Sequence, residues 1–320
     1  NFNLEEAKEI KEIEKTTLHD VKAIEYYIRK KFDEYNISYL NKWIHFGLTS
    51  QDTNSPAQTL QVKRFLEQVY SPKMVEMLKI INNFYFNNKN VVMLGKTHGQ
   101  IASPTSMGKE FMVYHERLEN QLKLLDKIDF NTKFGGAVGN LNAHLYCYPD
   151  VNWKNVMDSF IQSLGMIRQQ FTTQIDHYDN LCAIFHNIIR INNILIDFSR
   201  DIWLYTSIKY LLLRTSEGQI GSSTMPHKIN PINFENAEGN LLLSVNLLEF
   251  LSRKLPISRL QRDLTDSTIL RNLGLAFGYC EIAYHNILTG LSKLEPNKEV
   301  ILEDLNKNVV VLTEGIQTIL

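Results

Sequence analysis

The segment of this chain with the densest chemistry is Gly221-Ser222-Ser223-Thr224-Met225-Pro226-His227-Lys228-Ile229-Asn230-Pro231. Glycine loosens its start, Ser222 and Ser223 bring hydroxyls, and Lys228 brings a full positive charge. Asn230-Pro231 has the composition of a helix start, whose unpaired N–H groups and positive dipole end favour an anion. The loop suits a carboxylate or a developing oxyanion. On residue types alone, the same string also serves as turn and capping chemistry with a solvated lysine. Further polar segments interrupt the apolar patterning at Thr49 to Asn54, Gly95 to Ser103, Gly135 to His144 and Arg259 to Ser267. Loops held by rigid helices are where binding and catalytic groups concentrate.

The elements that would hold these loops read as helices. No proline falls between Pro149 and Pro226, and glycine occurs in that interval only at 165, 218 and 221, so little interrupts a helical run. Apolar residues recur at steps of three and four at Ile184, Ile188, Ile191, Leu195, Phe198, Ile202, Tyr205 and Leu212. That stripe predicts one bundle helix from about Tyr178 to Leu213, roughly 50 Å long at about 1.5 Å per residue. Ser-Pro or Asn-Pro pairs at 55/56, 71/72, 103/104 and 230/231 predict four helix starts, each with a capping side chain directly before a first-turn proline. Two further apolar faces run through Met107, Phe111, Tyr114, Leu118, Leu122 and Leu125, and through Phe234, Ala237, Leu241, Leu248 and Leu251. With no sustained period-two pattern, tandem repeat or low-complexity tract, the expected fold class is all-α.

Composition narrows the partners. A chain of 320 residues that is 44% hydrophobic can bury a sizeable core. Its 34 Lys plus Arg are dispersed among 35 Asp plus Glu, so nucleic acid is not an expected partner, and any anionic ligand must be held by a local cluster. Cys147, Cys182 and Cys280 are odd in number and far apart, which fits neither a disulfide framework nor a close-spaced zinc site; they read as reduced thiols of a cytoplasmic protein. There is no signal-peptide pattern. The most apolar stretch, Leu241 to Leu251, is broken by Asn246 and Glu249, so no membrane partner is expected. The chain opens on Asn1 and stops inside an apolar-patterned segment at Ile319 and Leu320, so further residues are expected at both ends.

The string Ser222 to Pro231 resembles the S-S-x-M-P-x-K-x-N-P signature of the superfamily of fumarases, aspartases, argininosuccinate lyases and adenylosuccinate lyases. The continuation Ile232 to Asn240, the segment Leu255 to Ser267, Thr97-His98-Gly99-Gln100 and Thr16-Thr17-Leu18-His19-Asp20 look specifically like adenylosuccinate lyases of the bacterial type. The resemblance runs essentially from end to end. It implies an elongated long-helix bundle domain that forms the centre of a homotetramer with shared active sites. Residues 1–40 would close an N-terminal helical domain, 41–292 would form the central bundle, and 293–320 would begin a C-terminal helical domain. The implied reaction is β-elimination of fumarate from adenylosuccinate to give AMP, and from the related succinyl-carboxamide ribotide, without metal or cofactor.

Such an elimination needs a base, an acid and a cationic cradle for a carboxylate that accumulates charge. By resemblance Ser222 is the base, His98 is the acid that protonates the leaving nitrogen, and Glu235 orients His98. Lys228 and Asn230 stabilise the charged carboxylate, and Met225 of the same loop lies against the substrate. His19 and Asp20 contact substrate, Thr49 and Ser50 seat a succinyl carboxylate, and Gln174 and Asn236 hydrogen-bond the ligand. Arg262, Ser267 and Arg271 match positions that grip the nucleotide phosphate, which suits arginine forks and a hydroxyl. Apart from the resemblance, the two histidines also suit a turn and a helix start, Thr49 and Ser50 suit caps, the amides suit solvated surface, and the arginines suit ion pairs with Asp263 and Asp266. Ile101 departs from the pattern, which usually has proline after Thr-His-Gly-Gln.

Two rival readings differ in class. A sister lyase such as argininosuccinate lyase or fumarase would share the fold and signature loop, but the Arg259 to Arg271 segment argues against it. A catalytically silent helical scaffold is opposed by the intact set Ser222, His98, Lys228 and Glu235.

Overall fold

Sparse glycine and proline give long helices, and helices dominate the computed structural model, which describes residues 2–214, 225 and 228–320. Ser222 and the expectation placed on it lie outside the described residues. The stripe read from the sequence is the core face of the helix Asp179–Ser207: Ile184, Ile188, Ile191, Leu195, Phe198 and Ile202 are each no more than 1% exposed. Full burial of each such side chain stabilises by about 1.5–3 kcal/mol. By length and composition this helix could cross a membrane, yet two-thirds of the apolar window is buried inside the fold, as in a core helix.

That helix stops at Ser207, short of the expected Leu213. Lys209 adopts φ 61°, its N–H reaches back to the Thr206 carbonyl, and the Tyr210 N–H reaches the Tyr205 carbonyl. Paired bonds of this kind around a left-handed residue end a helix by satisfying its last carbonyls. The chain then enters the strand Leu211–Leu213, which pairs antiparallel with Leu294–Pro296.

Two of the four proline-marked starts are corrected. Pro56 lies inside the helix Ser50–Phe65, which begins six residues earlier because Thr49 and Asp52 cap it. Pro104 lies in the strand Gln100–Ser106 opposite Leu94, beside the irregularity at Leu94/Gly95, where a missing N–H is tolerated. The next helix, Met107–Leu125, is capped by Ser106. Pro72 does open the helix Ser71–Asn88, but a π-helical turn, Leu66–Tyr70, runs straight into it. Asn230-Pro231 immediately precedes the helix Ile232–Lys254 as read.

The chain divides into two units. The first comprises residues 1–63, 129–181 and 255–265. It opens with Leu4–Thr17, started by a reciprocal Asn3/Glu6 cap, and Asp20–Glu34, started by His19. A small core of Phe134, Leu141, Met157, Ile161 and Met166 lies under its loops, braced by the parallel pair Asn131–Thr132 with Ile167–Arg168. The second unit comprises residues 64–128, 182–254 and 266–320 and is the helical bundle proper. There Ile232–Lys254 packs closely along Leu273–Leu291. A Cβ on Gly290 would come within 2.7 Å of the Phe234 ring, so only glycine lets the helices approach this far.

Candidate active site

In the first unit the site is built on the start of the helix Ser50–Phe65. Thr49 stands at its cap, and the Asp52 side chain reaches back to accept the Thr49 N–H at 2.9 Å and the Thr49 hydroxyl at 3.2 Å. This is the carboxylate half of a capping box, with aspartate in place of the usual glutamate. Ser50 and Gln51 occupy the first turn, where backbone N–H groups have no intrahelical partner and the dipole end is positive.

The other Asp52 oxygen accepts the Lys133 ammonium at 2.6 Å and the N–H groups of Gly135 and Gly136 at 2.7 and 3.0 Å. Lys133 also donates to the Gly136 carbonyl at 2.7 Å, and both charged side chains are fully buried. Burial by itself would raise the Asp52 carboxyl, but the Lys133 charge and the N–H donors outweigh it and hold its pKa below the ordinary aspartate value. Behind this pair, Asp176 accepts the Ser55 hydroxyl at 2.7 Å and the Lys133 N–H at 3.0 Å, and its other oxygen accepts Gln169 and the Tyr178 N–H. The glycine loop continues to Gly139 at φ 79°, where a Cβ would sit 2.1 Å from the Thr172 carbonyl.

The same loop holds the predicted amide by a hydrogen bond. Gln174 donates from Nε2 to the Ala137 carbonyl at 2.9 Å and accepts from Arg262 Nη1 at 3.0 Å, and its N–H bonds the Gln261 carbonyl. Arg262 is therefore held by a neutral side chain, while Asp263 pairs with Arg259. His19 is the N-cap of the helix Asp20–Glu34: its Nδ1 accepts the Lys22 N–H at 3.3 Å, which leaves Nε2 facing the Ser50 hydroxyl at 3.5 Å. Asp20 accepts its neighbour Val21 N–H. The first unit thus gathers His19, Thr49, Ser50, Gln174 and Arg262 through contacts of 2.6 to 3.5 Å.

In the second unit His98 sits at the tip of the hairpin Val92–Thr97 with Gln100–Ser106, exposed, at φ 54°, followed by Gly99 at φ 73°. Positive φ at both central residues is the mark of a type I′ turn, and a two-residue turn of this hand fits the twist of the strands it joins. Ile101 pairs with Lys96, one step beyond the closing pair Thr97 and Gln100. At that alternate step of an antiparallel ladder the N–H points away from the partner strand, so proline or isoleucine fits.

Glu235 lies in the first turn of its helix and accepts Trp203 Nε1 at 3.0 Å, beside a cavity of about 440 Å³ also lined by Arg200, Leu204 and Glu238. Asn236 is exposed one residue on and accepts Asn240 Nδ2 through its side-chain oxygen. Lys228 and Met225 are exposed, the Lys228 N–H meets the Met225 carbonyl at 3.4 Å, and Asn230 is half-buried before Pro231. Ser267, in the short helix Thr265–Leu270, donates its N–H to Asp266, and Arg271 is exposed just beyond that helix.

Sequence reasoning named Thr49 and Gln174 but missed what joins them: Asp52, Lys133, Ser55, Asp176 and the glycine pair. One signal was available, since Thr49-x-x-Asp52 has the spacing of a capping box. Lys133, some eighty positions away in sequence, offered none.

Comparisons with known proteins bear on what this arrangement is for. The family model described as Lyase matches residues 1–243, and that described as Adenylosuccinate lyase C-terminal matches residues 258–320. Curated relatives cover the whole chain. The adenylosuccinate lyase of Dictyostelium discoideum is 48% identical over 326 residues, 100% of this chain and 70% of that protein. Those of Legionella pneumophila (strain Corby) and Escherichia coli (strain K12) are 47% and 44% identical over 321 residues, again 100% of this chain and 70% of theirs.

Proposed function

The chain belongs to the adenylosuccinate lyase family and is a carbon–nitrogen lyase of that class, and on this premise we propose how its residues divide the reaction. In β-elimination from adenylosuccinate, the C–H bond beside a succinyl carboxylate and the C–N bond to the purine both break. The double bond of fumarate forms, and the departing nitrogen of AMP gains a proton. Ser222 takes the carbon-bound proton. A serine hydroxyl does this only when its anion is stabilised, which is the work of Lys228 and the N–H groups around Asn230 once water is excluded. His98 supplies the proton to nitrogen, oriented by Glu235, and Met225 and Asn236 border the ligand.

The carboxylate seat is the positive start of the helix Ser50–Phe65. Ser50, His19 and the hydroxyl of Thr49 face the ligand: the 3.2 Å hydroxyl bond to Asp52 is the longer of Thr49's two, so the hydroxyl can exchange it for a ligand oxygen while the N–H keeps the turn. Asp20 contacts the substrate beside His19, and Gln174 bonds the succinyl group. Arg262, Ser267 and Arg271 take the phosphate as charge-assisted donors. The observation that carries most of this reading is one continuous set of hydrogen bonds, Thr49 to Asp52, Asp52 to Gly135 and Gly136, Ala137 to Gln174 and Gln174 to Arg262, which fixes a carboxylate seat and a guanidinium to one loop.

The enzyme works as a cytoplasmic homotetramer whose sites combine the segments around Thr49, His98 and Ser222 from three protomers. Within each chain the central bundle spans 41–292 between parts of two smaller helical domains. It also cleaves the succinyl-carboxamide ribotide. Mixing His98→Ala and Ser222→Ala variants tests the sharing. Each alone falls by about 10²–10⁴ in turnover, as loss of an acid or base does, and the mixture regains part of the activity. No recovery on mixing would mean that each site is built within one chain. Assay of adenylosuccinate against argininosuccinate and malate separates this enzyme from a sister lyase, and absence of adenylosuccinate turnover would reject the reading.

A further inference from the structure

The Lys133–Asp52 pair is a puzzle for a stability argument. An ion pair taken wholly out of water stabilises little, because the desolvation of two charges offsets their attraction, and apolar side chains of similar size often do as well. This pair has both side chains at zero exposure, so it also touches no ligand. What an apolar pair would not supply is the set of donors gathered on one carboxylate: the N–H and hydroxyl of Thr49, the ammonium of Lys133, and the N–H groups of Gly135 and Gly136. These come from two segments more than eighty positions apart in sequence. Of the groups proposed above to hold the succinyl group, Thr49 and Ser50 lie on the first of those segments, His19 faces Ser50, and Gln174 bonds the Ala137 carbonyl directly after the second.

We propose that Asp52 and Lys133 are positioning residues: the buried pair locks the Thr49 turn to the Gly135–Ala137 loop, and thereby aims Ser50 at one end of the succinyl group and Gln174 at the other. The inference rests on the substrate-binding reading of Ser50 and Gln174. The carboxylate acts through geometry. One oxygen fixes where the helix begins and hence the direction of its free N–H groups, and the other fixes the loop whose Ala137 carbonyl holds the Gln174 side chain. Lys133 keeps that carboxylate ionised and adds a further anchor through the Gly136 carbonyl. A site held this way is organised before substrate arrives, so little binding energy is lost to ordering loops.

Two measurements test it. The first uses the unaltered full-length protein: hydrogen exchange at the amides of Thr49, Gly135 and Gly136. Protection well above that of exposed loops, and nearly unchanged by saturating adenylosuccinate or by fumarate with AMP, is the expected result. Fast exchange that slows only on ligand binding would overturn the proposal, and this measurement does not depend on turnover. The second is a double-mutant cycle on KM between Asp52→Asn and Ser50→Ala. If Asp52 acts through the turn, the effect of Ser50→Ala largely disappears in the Asp52→Asn background, a coupling of about tenfold, in the range for members of one network. Effects that multiply independently, with only the thermal midpoint lowered by Asp52→Asn, would assign the pair a purely structural role. Failure of the unaltered enzyme to turn over adenylosuccinate would instead strike the substrate reading and leave the exchange result standing.

Discussion

Two buried polar clusters, one in each unit, look alike by exposure and differ in everything else. In the helical bundle Asn192 is wholly buried and accepts the Tyr284 hydroxyl at 2.5 Å, while its amide reaches Ser244 Oγ at 3.3 Å and Cys280 Sγ at 3.4 Å. All of its members are neutral, and burial pushes the Cys280 thiol and Tyr284 phenol up, away from ionisation at ordinary pH. The cluster ties helices to one another along a seam and touches none of the residues proposed to meet substrate. The Asp52–Lys133 cluster is charged, joins a helix start to a glycine loop, and lies one bond from several such residues. Helix seams satisfy their own backbone, so a neutral side-chain network suffices to fix their register. A loop's backbone N–H groups need an acceptor, and a carboxylate that takes several at once is the strongest one available.

The difference predicts unequal responses to damage. Lys133→Met should be the most harmful, since it strands a buried carboxylate. Destabilisation by about 3–5 kcal/mol in urea unfolding, with activity lost alongside, is the expected outcome. A neutral result there would erase the distinction between the clusters. Tyr284→Phe removes one neutral donor and leaves the Asn192 carbonyl oxygen short of a partner, costing about 1–2 kcal/mol while kcat/KM of the folded enzyme stays unchanged. A large fall in kcat/KM would show the seam to be coupled to the site after all.

Acid sharpens the contrast with the smallest effect. The Asp52 pKa is depressed in the folded chain, so its contribution is fully present above the ordinary aspartate value and is lost as pH falls through the lower folded value. Hydrogen exchange followed into acid should therefore release the Gly135 and Gly136 amides before those of the helix around Asn192. Release in the opposite order would count against a carboxylate holding the loop.

Much of the fold was legible because helical periodicity is local. The stripe from Ile184 to Ile202 and the face from Phe234 to Leu251 are core in the structure as read, since side chains three and four apart share a helix face whatever lies opposite. Proline gave less. At Pro56 a stronger cap upstream set the boundary, and at Pro104 the residue lies in a strand, because proline's rule forbids certain bonds without saying which element the neighbours choose. The hairpin under His98 was hidden for a related reason: its strands are mostly exposed and their buried positions do not alternate, and only the backbone reveals that His98 accepts a left-handed conformation.

The chemistry divides the same way. The resemblance carried by the signature spacing supplied the reaction class and the candidate acid, base and phosphate grips, and composition set the expectation against nucleic acid, because these depend on which groups are present. Tertiary structure alone decided that Arg262 rests on Gln174 and that Lys133 meets Asp52. Those pairings join positions far apart in the chain. Burial and hydrogen-bond satisfaction select such partners only once packing has brought them within reach, and no local pattern encodes that distance.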